Sequence, residues 1–121
     1  MSGINKVILV GHLGKEPELR YLADGVPVAS FPIVTSEMGR KENTKVEQTE
    51  WHNIVMWRSL AESAARMLKK GSLIYIDGKV RTRSFIHNEG NKKYVTEIVA
   101  GYFTLLGRKS DFGDDKADEN Y

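Results

Sequence analysis

The chain has 121 residues, 40% of them apolar and 28% charged, a balance that fits one compact domain and excludes a wholly disordered chain. It has no cysteine, which removes disulfide staples, thiolate metal centres, iron–sulfur clusters and cysteine nucleophiles together and fits a cytoplasmic setting. The net charge of +2 hides an asymmetry: Asp111, Asp114, Asp115, Asp118 and Glu119 face only Lys116 in the last eleven residues, so residues 1–110 hold 17 bases against 11 acids. The expected organisation is a basic folded domain over 1–110 and a short acidic tail over 111–121. Met1 to Val10 lacks the pattern of a secretory signal, and no apolar run reaches the ~18 residues of a membrane helix, so neither export nor membrane insertion is expected.

From Ile4 to Leu13 the chain is rich in Val, Ile and Leu and closes on Gly11 and Gly14, which reads as a first strand running into a bend. Glu16-Pro17-Glu18 breaks the run, Leu19 to Leu22 resumes it briefly, and Ala23-Asp24-Gly25 is a turn. A second strand spans Val26 to Ser36. Pro32 inside it has no N–H to give, which predicts an edge, a bulge or an unpaired side at that point. Glu37 to Gln48 is polar and reads as a mobile loop or an extended hairpin.

Thr49 to Arg58 is the third strand, and its alternation puts Thr49, Trp51, Asn53, Val55 and Trp57 on one face and His52, Ile54 and Met56 on the other. Ser59 and Glu62 have capping-box spacing, and Leu60, Ala64, Met67 and Leu68 recur at helical intervals before Gly71, which predicts one short amphipathic helix. The fourth strand, Leu73 to Phe85, sets Ile74, Ile76, Val80, Thr82 and Ser84 against Tyr75, Asp77, Lys79, Arg81, Arg83 and Phe85, with Gly78 a candidate bulge. His87 to Asn91 has hairpin-tip chemistry, and Lys93 to Leu106 is a fifth strand broken near Gly101. Three strands, a helix and two strands is the order of an all-β OB-fold, a five-stranded Greek-key barrel with one short helix between strands three and four.

Trp51 and Trp57 share one strand face, and Lys79, Arg81, Arg83 and Phe85 share another. Unpaired nucleic acid needs this combination, because every base offers a π-face to an aromatic ring while Lys and Arg follow the phosphates. A strand tryptophan is commonly a core residue and an Arg-x-Arg strand commonly a solvated face. Here each strand has a second, apolar side to fill the core, which leaves the aromatics to face outward. The three histidines, His12, His52 and His87, have no metal-ligand spacing, and Gly11 to Lys15 lacks the spacer and hydroxyl of a phosphate loop. No cofactor, metal site or enzymatic activity is expected.

The chain resembles the bacterial single-stranded DNA-binding proteins over about residues 4–107. The resemblance rests on Asn5-Lys6-Val7-Ile8-Leu9-Val10-Gly11, Leu13-Gly14, Pro17-Glu18, Arg20-Tyr21, Thr49-Glu50-Trp51-His52, Leu60-Ala61-Glu62 and Lys70-Gly71-Ser72, and then on Tyr75-Ile76, Gly78 and Arg81-Thr82-Arg83. It implies a homotetramer of OB-folds that binds single-stranded DNA without sequence preference and protects it during replication, recombination and repair in the cytoplasm, associated with the nucleoid. The implied platforms are Trp51, Trp57 and Phe85, with Arg20, Lys70, Arg81 and Arg83 as phosphate partners; Lys6, Arg40 and Lys79 join them as candidates. The family places the histidine of Thr-Glu-Trp-His at a subunit contact, which implies His52 at an interface, with Tyr75 a second candidate.

Two positions depart from the family pattern. A further tryptophan often follows the second strand, where this chain has Met38 and Gly39, so one platform is expected to be absent. The family tail ends in acids followed by Pro-Phe, which docks replication and repair enzymes; here the acids are kept and Pro-Phe is missing, which leaves two readings of the tail, a recruiter of replication and repair proteins without its tip or a solvated terminus. The rival readings of the whole domain are a protein-interaction module and an RNA-binding OB domain.

Overall fold

The computed structural model describes residues 2–108, and the acidic stretch 111–121 lies outside them. Six strands and one helix follow in the order β1 (Val7–Leu13), β2 (Glu18–Tyr21), β3 (Pro27–Lys41), β4 (Thr44–Trp57), α1 (Ser59–Met67), β5 (Leu73–His87) and β6 (Asn91–Gly107). They form one sheet in the order β1-β5-β6-β4-β3-β2, and β1 also pairs with β3. That second pairing closes β1, β3, β4, β6 and β5 into the expected five-stranded barrel, with β2 added outside along β3.

Closure requires β1 to be paired on both edges. It runs antiparallel to β5 from Val7↔Gly78 to His12↔Leu73, and antiparallel to β3 at His12↔Val34 and Leu13↔Ile33. At Gly11 the two neighbours approach so closely that a Cβ would lie 2.5 Å from the Val34 carbonyl oxygen and 2.7 Å from Ile33 Cγ2. Only glycine fits this crossing. Beyond it, the Leu13 amide donates to the Ser72 carbonyl and the Gly71 amide donates to the Leu13 carbonyl, at 2.9 and 2.8 Å. The end of β1 is thereby tied to the segment entering β5.

Pro32 sits at the seam where β3 changes outer neighbour. β2 covers β3 as far as Ser30 and β1 begins at Ile33. The Pro32 carbonyl accepts from the Gly14 amide at 2.9 Å, so its nitrogen, which points the same way along a strand, faces this seam rather than β4. No ladder bond is lost. The brief Leu19–Leu22 segment is a true strand, β2, because β3 offers it a free edge.

The polar stretch after the second predicted strand is the extended hairpin of the two alternatives. β3 and β4 stay paired from Val28↔Trp57 to Lys41↔Thr44, joined through Glu42 and Asn43, both at positive φ (52° and 68°), as a two-residue primed turn requires. The β5–β6 hairpin likewise continues to His87↔Asn91, and from Lys79 to Lys93 both of its faces are exposed.

Three sequence expectations are corrected. The fifth predicted strand is unbroken: Asp77 pairs with Tyr102 and Gly78 with Ala100, so Gly101 is the extra residue of a bulge in β6. The bulge reverses which residues face inward. Ile98 and Ala100 face the core before it and Phe103 and Leu105 after it, an inversion that strict alternation would forbid. Second, Ser59 and Glu62 form no capping box; Arg58, at φ 61°, is the N-cap and no side chain caps the helix. Third, α1 buries Ala61 and Ala64, with Leu68 just beyond it, while Met67 is exposed. The small alanines let α1 seat on a core of Leu13, Phe31, Ile33, Ile54, Met56, Ile74 and Ile76, each contributing about 1.5–3 kcal/mol if fully withdrawn from water.

His12 lies on the outer side of β1, paired with Leu73 and Val34. Burial pushes its imidazole down to about 4 from 6.5. The unfolded chain therefore takes up this proton first, and the contribution of His12 to stability is full above pH 6.5 and lost as pH falls toward 4. Denaturant titrations across this interval should show stability falling with acidification, and His12→Asn should flatten the dependence.

Candidate nucleic-acid interface

The pairing register decides which side chains share a surface, because residues directly opposite in a ladder point to the same side. Ile54 and Met56 are fully buried, so Trp51, Asn53, Val55 and Trp57 of β4 point outward. Trp57 pairs with Val28, which pairs with Arg20. Val55 pairs with Ser30 and Val99; Ser30 pairs with Glu18 and Val99 with Lys79. Lys79 therefore lies on the same outer face as Trp51 and Trp57, and Arg81, Arg83 and Phe85 follow it at alternate positions. The two faces read separately in the sequence are one surface.

Trp51, Trp57 and Phe85 are 58%, 42% and 42% exposed, enough to offer a ring face while keeping part of each ring packed. Trp51 is held in place by an unusual contact. A Cβ on Gly14 would lie 2.5 and 2.9 Å from Cζ3 and Cη2 of the indole and 3.3 Å from Val34 Cγ2. The ring thus lies against the bare backbone of Gly14 and beside Val34, its ladder partner.

The predicted cations occupy different settings. Arg20 stands in the row of Trp57, and Lys79 and Arg81 stand on the outer face of β5. Arg83 Nε donates to Glu97 Oε1 at 3.0 Å, which ties the half-exposed guanidinium to β6. Lys6 stands apart, in an ion pair of 2.9 Å with Asp77 that raises its pKa through the hydrogen bond and the charge of that carboxylate. The Lys70 amide donates to the Glu16 carboxylate, which pins the loop before β5 to the β1–β2 connection. Arg40 pairs with Lys45 near the tip of β3–β4, on the Trp51 side by alternation.

His52 and Tyr75 fall on opposite sides of the sheet. His52 pairs with Ile33 on the core-facing side and its Nε2 lies 2.9 Å from Thr35 Oγ1. Tyr75 points outward from β5, edge-to-face with Tyr102 at 6.2 Å. Around Tyr75, the outer face carries Ile8, Val10 and Tyr102, all large, apolar and exposed.

Further residues complete this surface. Met38 alternates onto the Trp51 face and is 66% exposed, so at the site of the expected missing tryptophan a flexible thioether is presented. Beside Trp51 opens a notch of about 340 Å³ lined by Lys15, Glu16, Glu18, Ser30, Phe31, Pro32 and Asn53. Asn53 was legible as two residues from Trp51 on one strand face. Glu18 and Lys15 had no such signal, because they arrive from another strand and a loop. Among the described residues no group of three metal-ligating side chains gathers.

The model of the single-strand binding protein family matches residues 4–106. Single-stranded DNA-binding protein 1 of Xylella fastidiosa is 42% identical over 113 residues, 92% of this chain and 83% of that protein. Single-stranded DNA-binding protein 1 of Chlorobaculum tepidum is 46% identical over 121 residues, covering 98% of this chain and 74% of its own. In three dimensions the fold matches a chain of the Plasmodium falciparum SSB complex with ssDNA, with a TM-score of 0.79 at 31% identity, over 88% of this chain and 97% of that one.

The Gly14 contact makes a direct prediction. Gly14→Ala should drive the Trp51 ring from its seat and destabilise the fold by about 1–3 kcal/mol, the usual cost of overpacking. In a Trp57→Phe background, where Trp51 is the sole tryptophan, its fluorescence anisotropy should drop on Gly14→Ala. Unchanged anisotropy and an unchanged denaturation midpoint would refute the contact.

Proposed function

The chain belongs to the single-strand binding protein family, and on that premise we propose that it binds single-stranded DNA irrespective of sequence and protects it during replication, recombination and repair. The observation that carries this reading is the register that puts Trp51, Trp57, Lys79, Arg81 and Phe85 on one outer surface. Duplex DNA hides its base faces, so these rings have nothing to stack on until the strands separate. Binding therefore traps melted DNA. It involves no turnover, and its place of action is that of its ligand, the cytoplasmic nucleoid.

Trp51, Trp57 and Phe85 stack bases, Arg20, Lys79 and Arg81 meet phosphates between them, and Lys70 and Arg40 extend the path at either end. Arg83 contributes the guanidinium edge that Glu97 leaves open, and Lys6 contributes once its pairing with Asp77 yields to phosphate. The working unit is a homotetramer. Support comes from the exposed Ile8, Val10 and Tyr102 around the half-buried Tyr75, an apolar face of the kind that monomers rarely leave in water; the placing of His52 at a second contact rests on the family resemblance.

Titration with an oligo-dT should quench tryptophan fluorescence strongly, the matching duplex should not, and an RNA oligomer should compete less well. Trp51→Ala should weaken binding by roughly 5- to 150-fold, the equivalent of about 1–3 kcal/mol for one stacked base. Affinity should fall with salt, and Arg81→Ala should reduce the slope of log K against log salt by about 0.7. No binding by fluorescence or by anisotropy would favour a protein-interaction module instead. Sedimentation of Val10→Glu should give species smaller than those of the parent chain, whereas an unchanged mass would exclude this face as an interface.

A further inference from the structure

The notch beside Trp51 has the properties of a subsite for the edge of a base rather than of a passive crease. One wall is the indole, fixed by Gly14 and Val34. Ser30 and Pro32 of β3 form the floor, and Asn53 projects two residues from Trp51 on the same face. Glu18 reaches the notch from β2, through its pairing with Ser30. No described residue bonds to the Glu18 carboxylate, the Ser30 hydroxyl or the Asn53 amide. Glu18 and Asn53 are exposed and Ser30 half-buried, so three polar groups without a described protein partner line the notch beside Trp51, within reach of the edge of a base stacked there.

The charge of Glu18 is the informative feature. A carboxylate beside a path for phosphates opposes binding by its field; Lys15 and Glu16 stand on the same rim, and the Glu16 carboxylate already accepts from the Lys70 amide, which leaves Glu18 as the carboxylate open to a ligand. A carboxylate is also the one side-chain type that accepts hydrogen bonds and donates none. Cytosine offers it an exocyclic amine, whereas uracil and thymine present a carbonyl oxygen at the same ring position. Asn53 and Ser30 both donate and accept, and so do not discriminate between them.

Resting on the single-strand-binding reading, we infer that the notch is a base-edge subsite in which the Glu18 carboxylate favours a base bearing an exocyclic amine over one bearing a carbonyl oxygen there. This adds a local preference to binding that is otherwise indifferent to sequence. It acts at one position of the bound strand, so it changes relative affinities of homopolymers without setting a recognition sequence.

The test compares oligo-dC with oligo-dU of equal length, a pair that differs in this edge and not in ring size, by fluorescence anisotropy at mildly alkaline pH where cytosine is unprotonated. The readout is the ratio of the two affinities in the parent chain and in Glu18→Gln. Removing the charge raises affinity for both oligomers through the phosphates, and that gain cancels in the ratio. The expected result is a dC:dU ratio that falls by about threefold or more in Glu18→Gln, with no such fall when Glu18→Gln is made in a Trp51→Ala background. A ratio unchanged by Glu18→Gln, with both oligomers bound, overturns the inference and leaves the single-strand reading intact. Failure of the parent chain to bind either oligomer overturns both. Thermal denaturation of each variant confirms that folded protein is compared.

Discussion

The double pairing of β1 is the constraint on which the rest of the structure depends. A sheet of this length would otherwise present two open edges, and its core-facing side chains would have no opposite wall. Because β1 bonds to β5 over most of its length and to β3 at its end, the sheet closes and Ile33, Ile54, Ile74 and Ile76 meet around one axis. The closure passes through Gly11, where no side chain fits between the strands. It also fixes everything downstream of β1: Gly14 is bonded to Pro32, and the loop carrying Lys15 and Glu16 is pinned to the start of β5.

Once the barrel is closed, its outer surface follows from register alone. Trp57, Val28 and Arg20 form one row, and Lys79, Val99, Val55, Ser30 and Glu18 form another. The parallel contact of β4 with β6 is short, at Ile54↔Ile98 and Val55↔Val99, yet it joins the tryptophans of one hairpin to the cations of the other. The two hairpins then extend beyond the core, where neither face has to be apolar. This freedom lets Arg81, Arg83 and Phe85 alternate with Thr82 and Ser84 on a strand that buries nothing there.

The surface combines rigid and mobile elements with different consequences for binding. Trp51 rests on backbone and Arg83 is held by Glu97, so in the proposed binding mode their orientations are set before a strand arrives and less entropy is lost on binding. Met38, Lys79 and Arg81 have no such restraint among the described residues, which in the proposed binding mode lets them adapt to whichever base or phosphate comes. A protein that must accept any sequence benefits from this division, since stacking needs a fixed plane and phosphate contacts tolerate variation.

The sequence by itself determined the order and type of the main elements and the chemistry of their faces. Alternation put Ile54 and Met56 opposite Trp51 and Trp57, separated Ile74 and Ile76 from Arg81, Arg83 and Phe85, and placed the helix between the third and fourth long strands, because period and composition are local properties. The tertiary structure decided what is opposite what. That the tryptophan face and the cation face are one surface, that Gly101 inverts the inward side of β6, that Lys6 is bound to Asp77 and that Glu18 stands beside Trp51 all depend on contacts between residues distant in the chain. Local patterning fixes which face a side chain takes within its own strand. The pairing partner, the register and the bulge are set by the requirement that every strand edge be satisfied and the core be filled, which only the whole closed barrel can meet.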